Sequence, residues 1–300
     1  MSGMRSALPK GGEESRGEMA LPGRVDLGAG RQVALTVAGF DPSSGAGVTA
    51  DMKVFANHRV YGVAAITALT VQSTQGVRRV EPVSGQLFRE TLECLAEDLP
   101  IAGVKVGMLA SAEAVRVLAE FLRGAGIARE RVVLDPVIRA SSGAGLLSAE
   151  GVGLLRDELL PLVGWVTPNV EEVGALLGEP GEFVSRDHIP EMAQRLAELG
   201  EASVGGSGLN VVVTGGHLYP PDDFLRTVDG EETWFSGERI ETTSTHGTGC
   251  AFSSALLCRL LRGETPVDAV GGAKAWVKRT LETAVPIGLG KGPLNLSIPG

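Results

Sequence analysis

The chain has 300 residues, 43% of them apolar but only 4% aromatic, with 42 glycines and a formal net charge of −9. It is long enough for a substantial core built mostly from Ala, Val and Leu, which suits a sheet buried by helices on both faces. The acidic balance without a basic tract argues against a nucleic-acid binder, no uncharged apolar run reaches the ~18 residues of a membrane span, and three cysteines without a CxxC pair argue against a disulfide framework or structural zinc.

Met1 to Arg31 is rich in Gly, Glu and Arg and lacks the apolar segment of a secretory signal. It is expected to be a loosely ordered extension ahead of a single domain over residues 32–300, in a reducing cytoplasm. Val33 to Val37 is the first strand, ended by the loop Gly39 to Gly47, and Val48 to Asn57 is helical. Strands follow at Val63–Val71, Gly103–Gly107, Val132–Asp135, Trp165–Pro168 and Asn210–Val213. Helices fall between them at Leu87–Asp98, Ala112–Arg123, Gly151–Leu160, Glu171–Leu177 and Ile189–Leu199. Thr233 to Ile240 reads as edge strands, with helices after Cys250 and after Pro266. This alternation predicts a mostly parallel, doubly wound α/β sheet.

In such a sheet ligands lie beyond the carboxyl ends of the strands. The polar clusters at Asp41–Gly47, Gln72, Met108, Asp135, Asn169 with Glu172, and Gly215-Gly216-His217 all fall there, and are expected to converge with Thr245-His246-Gly247-Thr248-Gly249-Cys250. That last loop opens a helix, where backbone N–H groups and the dipole receive a phosphate or oxyanion. The same dipole is expected to lower the pKa of Cys250; the plainer reading is a helix start with a small buried cysteine.

Each candidate has a duller alternative. The Gly39–Gly47 loop lacks the Lys-Ser/Thr of a P-loop, so it is a tight turn or a wall over a small ligand. Gln72 offers a donor and an acceptor, suited either to the edge of a nitrogen heterocycle or to bridging loop backbone. Asp51 binds ligand or faces solvent. Asp135, Asn169 and Glu172 are oxygen ligands suited to Mg²⁺, with Asn169 equally an N-cap. Lys274 is a solvated lysine or a charge turned toward phosphates.

The run Ala34 to Lys53, Ala-Leu-Thr-Val-Ala-Gly-Phe-Asp-Pro-Ser-Ser-Gly-Ala-Gly-Val-Thr-Ala-Asp-Met-Lys, closely resembles the start of the hydroxymethylpyrimidine/phosphomethylpyrimidine kinases of thiamine biosynthesis, a branch of the ribokinase-like superfamily. The likeness continues through Ile66–Thr74, Lys105–Leu109, Leu134–Val137, Thr167–Glu172, Gly215–Leu218, Thr245–Cys250, Lys274 and Gly290–Asn295, over roughly residues 33 to 296. It implies a ribokinase-like three-layer α/β/α fold, ATP and Mg²⁺ as cofactors, a pyrimidine alcohol as substrate and a homodimer. Gly39, Asp51, Gln72 and Met108 would line the pyrimidine pocket. Asp135, Asn169, Glu172, Thr214 and Gly216 would serve ATP and Mg²⁺, with the metal held by Asp135 and Glu172, partly through water. Gly247, Thr248 and Gly249 would form the anion hole, with Cys250 and Lys274 as further catalytic groups. Three positions depart from the family pattern: Thr214 replaces a lysine, Ser141-Ser142-Gly143 replaces Lys-Ser-Gly, and Phe40 replaces a serine. Losing cations should weaken phosphate binding, with Arg139 placed to compensate. The alternatives are a pyridoxal/pyridoxine kinase, whose acceptor is also a hydroxymethyl heteroaromatic, and a pyrimidine-binding homologue that has lost catalysis.

Overall fold

The computed structural model describes residues 31–140, 143–179, 185–201, 208–216 and 218–300. The N-terminal extension apart from Arg31, the Ser141-Ser142 departure and His217 lie outside the described residues. Residues 32–300 form one unit around a nine-stranded sheet of order β3-β2-β1-β4-β5-β6-β7-β8-β9. The strands are β1 (Val33–Phe40), β2 (Tyr61–Ser73), β3 (Gly76–Pro82), β4 (Ile101–Val106), β5 (Val132–Leu134), β6 (Trp165–Val166), β7 (Asn210–Val213), β8 (Asp223–Arg226) and β9 (Glu232–Phe235). From β2 to β7 every pairing is parallel, and both ends of the sheet close with antiparallel strands.

The α/β expectation is met, and the differences lie at the edges. The second strand runs past the expected Val71 to Ser73 and folds back through Thr74-Gln75 as β3. β3 carries Arg78, Arg79 and Glu81 and is largely solvated, so it lacks the apolar run that marks an inner strand. β8 is four residues between Pro221 and Thr227, too short for a periodic signal. The expected helix at Gly151–Leu160 begins two residues earlier, where Ser148 caps Gly151, and widens into a π turn at Leu155–Leu159.

The helices are α1 (Gly47–Asn57), α2 (Gly85–Asp98), α3 (Ala112–Gly124), α4 (Ala149–Leu154), α5 (Val170–Leu177), α6 (Ile189–Glu201), α7 (Thr248–Leu261) and α8 (Pro266–Glu282). They divide over two faces because strand side chains alternate. Val132 and Leu134 of β5 pack with α3, α5 and α6 on one face, and Val133 packs with α1, α7 and α8 on the other. Ser84, Ser111, Ser148, Asn169 and Thr265 cap α2, α3, α4, α5 and α8 through their side chains. α1 and α7 have no side-chain cap, so their first N–H groups stay available to other acceptors.

Far from the strand ends, His58 closes α1. It is 1% exposed, its Nδ1 lies 3.0 Å from the Val54 carbonyl, and its ring packs edge-on against Trp276. Burial lowers its pKa to about 4, and Arg262, Arg259 and Arg279 add to the effect while the Val54 contact opposes it. The folded state therefore needs the neutral ring. Below the usual value of 6.5 the unfolded chain takes up a proton that the native one refuses, so this contribution to stability falls from pH 6.5 toward pH 4. Urea unfolding of wild type and His58→Asn at pH 7 and pH 5 should show the wild type losing ~2 kcal/mol more than the variant. Equal losses would mean that the ring already titrates normally.

Candidate active site

The ends of β1, β2, β4, β5, β6 and β7 all point to the mouth where α7 begins, because consecutive parallel strands share one direction. The loop after β1 lies directly on the loop before α7. Gly247 has a φ of +86°, and a Cβ there would overlap the Gly45 carbonyl oxygen, so the close approach requires glycine. Likewise a side chain on Gly45 would meet the His246 ring. The backbone of Gly47 lies close enough to the Cys250 thiol to lower its pKa slightly.

The first loop is organised by Asp41, which is 3% exposed. Its carboxylate accepts from Ser43 N and Oγ, Gly45 N and Ala46 N, at 2.7–3.2 Å, and lies 2.8 Å from His246 Nε2. Burial opposes ionisation, but hydrogen bonds from His246 and Ser43 outweigh it and hold the pKa below the usual value. Gln72 contacts His246 at 3.1 Å. With Ser73–Val77, Ala140, His246, Gly290 and Lys291 it lines a cleft of about 240 Å³. Met108 is 9% exposed and joins Ala68 and Leu146 in a small apolar cluster, and a side chain on Gly39 would run into its methyl group. Gly39 and Met108 therefore come together, while Gln72 meets the cysteine-bearing loop.

Asp51 does not line a pocket, and this corrects both sequence readings of it. It is 0% exposed, accepting from Thr36 Oγ1 at 2.6 Å and Ser254 Oγ at 2.8 Å and pairing with Lys105 Nζ at 3.0 Å. The apolar face of α1 turns it inward, where a carboxylate persists only with such partners. Burial alone would lower the pKa of Lys105, but Asp51, Cys250 and Asp135 together raise it, so the ammonium is a permanent charge beneath the site.

The expected fall in the Cys250 pKa is also overturned. Burial pushes the thiol up to about 12; Lys105 opposes this, whereas Asp135 and Asp51 add to it. The residue is half-buried, and desolvation with the two carboxylates outweighs Lys105, a balance that favours the protonated thiol.

Asp135 accepts from Ser253 Oγ at 3.3 Å, one turn into α7, and its carboxylate faces Gly249. Glu172 sits with Asn169 in a capping box: Asn169 Oδ1 accepts from Glu172 N at 3.0 Å, and Glu172 Oε2 accepts from Asn169 N at 2.9 Å. The capping reading of Asn169 is thus the one its side chain fulfils. Burial raises the pKa of both Asp135 and Glu172; Asp51 adds to the rise at Asp135 while Lys105 opposes it, and Asp135 adds to the rise at Glu172. A hard divalent cation between them would relieve the same repulsion. Among the described residues no cluster of three or more His, Cys, Asp or Glu converges. This donor set suits an ion held by one or two carboxylates plus substrate phosphates.

Thr214 pairs with Asn169 across β6 and β7, its N–H donating to the Pro168 carbonyl at 2.9 Å. Gly215 N donates to Asp223 Oδ1 at 2.8 Å, whose other oxygen holds Lys274 Nζ at 2.8 Å. Lys274 also donates to the Pro221 carbonyl at 3.0 Å. It is therefore not free, and through Asp223 it is tied to the Gly215 backbone. Among the described residues, nothing lies near Gly216 and Gly249 that an added side chain would strike, apart from the Asp135 carboxylate beside Gly249. Arg139 is exposed after β5, its backbone bridged to Gly145.

Residues 41–295 match the family model of phosphomethylpyrimidine kinase. The chain belongs to the phosphomethylpyrimidine kinase family. It is accordingly a kinase, a phosphotransferase. A hydroxymethylpyrimidine/phosphomethylpyrimidine kinase of Aquifex aeolicus is 39% identical over 259 residues, covering 86% of this chain and 97% of the relative. Among solved structures, an ADP complex of Bacillus subtilis pyridoxal kinase superposes with a TM-score of 0.77 at 29% identity, covering 89% of this chain and 98% of the other. A phosphomethylpyrimidine kinase from Clostridium difficile superposes at 0.69 and 30% identity, covering 83% and 99%. The kinase family thus includes both acceptor types among its structural neighbours.

The sequence singles out Gln72, Asp135 and Glu172, holds Asp41 and His246 only inside loop clusters without a role of their own, and gives no role to Lys105 or Asp223. Lys105 did carry a signal: it is the one charge in the strand segment Gly103-Val-Lys-Val-Gly107, and a charge in a strand buried on both faces needs a partner.

Proposed function

We propose that the chain transfers the γ-phosphoryl group of ATP to the hydroxymethyl oxygen of 4-amino-5-hydroxymethyl-2-methylpyrimidine, and then a second one to the resulting monophosphate, as a step of thiamine biosynthesis. One observation carries this reading: Gln72, on the heterocycle side, touches the very loop that opens α7, so an acceptor hydroxyl and a transferred phosphoryl group can share one cleft. The first N–H groups of α7, uncapped by any side chain, receive the charge of the moving phosphoryl group. Mg²⁺, when bound at Asp135 and Glu172, supplies charge neutralisation for the nucleotide phosphates.

Cys250 orients the acceptor oxygen as a protonated thiol rather than removing its proton as a thiolate. A loose phosphoryl-transfer transition state leaves little for a strong base to do, and the raised thiol pKa agrees with that role. Lys105 and Asp51 hold the floor under Cys250 and Asp135, and Lys274 acts through Asp223 on the Gly215 backbone. Arg139, exposed and two positions before Ser141 in the chain, compensates for the family lysine absent at Ser141. Residues 32–300 serve as the single catalytic domain, 1–31 as an extension without chemistry, and the protein works in the cytoplasm. Leu69 and Val71, both exposed on β2, support a homodimer. The acidic surface supports the absence of a nucleic-acid partner, and among the described residues no helix is long and apolar enough to cross a membrane.

Pyridoxal kinase is the second reading, favoured by the likeness to the Bacillus subtilis enzyme. Purified protein with Mg-ATP and each alcohol in turn, its products resolved by mass, tests both. The expected result is sequential mono- and diphosphate of the pyrimidine with the higher kcat/KM. A higher kcat/KM on pyridoxal overturns the first reading in favour of the second.

A further inference from the structure

We propose that His246 is a positioning residue that sets acceptor specificity by fixing the amide of Gln72. The inference deepens the aminopyrimidine reading above and rests on it. His246 Nε2 lies 2.8 Å from Asp41 Oδ2 and 3.1 Å from the Gln72 side-chain amide. A ring nitrogen carries either a proton or an in-plane lone pair. At 2.8 Å from a carboxylate oxygen only the protonated form is favourable, so Nε2–H donates to Asp41.

The Gln72 atom beside that N–H must then be an acceptor. The structure sets Gln72 Nε2 toward His246 and Oε1 toward Thr70, but amide oxygen and nitrogen have the same shape and are assigned by their hydrogen bonds, so we reverse them: the oxygen faces His246 and the NH₂ faces Thr70. Thr70 Oγ1, 3.1 Å from the amide, accepts from it and donates to the Phe40 carbonyl at 3.0 Å. Every member of the chain Asp41–His246–Gln72–Thr70–Phe40 is then satisfied, and the reverse orientation sets two donors against each other at His246. Asp41 is itself locked by four donors from its own loop, so the reference point for the amide is rigid.

The consequence falls on the ligand. Gln72 lines the cleft with one amide N–H and one oxygen lone pair left over. Held in that order, they match a ring nitrogen next to an exocyclic amine, an acceptor beside a donor. A heteroaromatic alcohol without that amine matches only half of the pair. His246 thus acts on the acceptor through Gln72, not on the phosphoryl group.

The experiment is a double-mutant cycle in steady-state kinetics, with the aminopyrimidine alcohol and pyridoxal as acceptors. His246→Asn loses the reach of Nε2, His246→Gln keeps an N–H near it, and each is made in wild type and in Gln72→Ala. Expected for His246→Asn is an acceptor KM about tenfold higher for the aminopyrimidine, with ATP KM unchanged and a smaller effect on pyridoxal. His246→Gln should recover most of the loss, and in the Gln72→Ala background His246→Asn should add less than about twofold. The same factor in both backgrounds, equal losses on both acceptors, or a fall in kcat at unchanged acceptor KM overturns the proposal. Unfolding of both His246 variants in a urea titration overturns it too, in favour of a packing role. A wild-type chain that phosphorylates only pyridoxal instead overturns the reading on which the specificity rests. The cycle on pyridoxal then shows separately whether His246 and Gln72 are coupled.

Discussion

Replacing Lys105 by methionine is expected to destabilise the fold by about 3–5 kcal/mol, the range for breaking one side of a buried ion pair. Both side chains are 0% exposed and 3.0 Å apart, so no solvent is available to take over the lost partner. Thr36 and Ser254 would remain on Asp51, but two neutral hydroxyls do not balance a buried carboxylate. Adding Asp51→Asn to Lys105→Met should recover a large part of the loss, because the charge left behind is then gone. Urea unfolding at pH 7 of the two single variants and the double variant checks this. A loss under about 1 kcal/mol for Lys105→Met would place the pair among ordinary surface bridges.

Cys250→Ala should lower kcat by about 10²-fold or more, the lower end for groups that handle a reacting proton or its oxygen. Cys250→Ser distinguishes how the residue acts. A protonated thiol that orients the acceptor can be replaced by a hydroxyl, so the serine variant should stay within roughly tenfold of wild type. Failure of serine as complete as that of alanine would mean that thiolate chemistry is needed after all. Unchanged kcat in the alanine variant would leave the sulfur as packing. The physical ground is the thiol pushed up to about 12, chiefly by burial, which a helix N-terminus alone does not reverse.

What could be read from the chain divides along a clear line. Strand-to-helix alternation and the placement of polar residues at strand ends follow from local periodicity, so Gln72, Asp135 and Glu172 were legible as candidates at the strand ends before any contact was known. The Asn169 cap was legible too, since Asn with Glu three residues on is a local pattern. The edge strands were not: β3 is charged and solvated, and β8 is four residues long. Nor was the direction in which a polar side chain on a mostly apolar helix points. Asp51 was read as facing a ligand or water and instead faces Lys105, an ion pair across 54 positions that no local pattern encodes.

The amino-acid order by itself determined the α/β alternation, the uncapped glycine start of α7, and the family, because each rests on neighbours along the chain. Only the tertiary structure decided the direction in which the Cys250 pKa moves, the partner of Lys274 and the tie from Asp41 through His246 to Gln72. Those depend on burial and on charges brought together from distant strands, and desolvation is a property of the packed molecule.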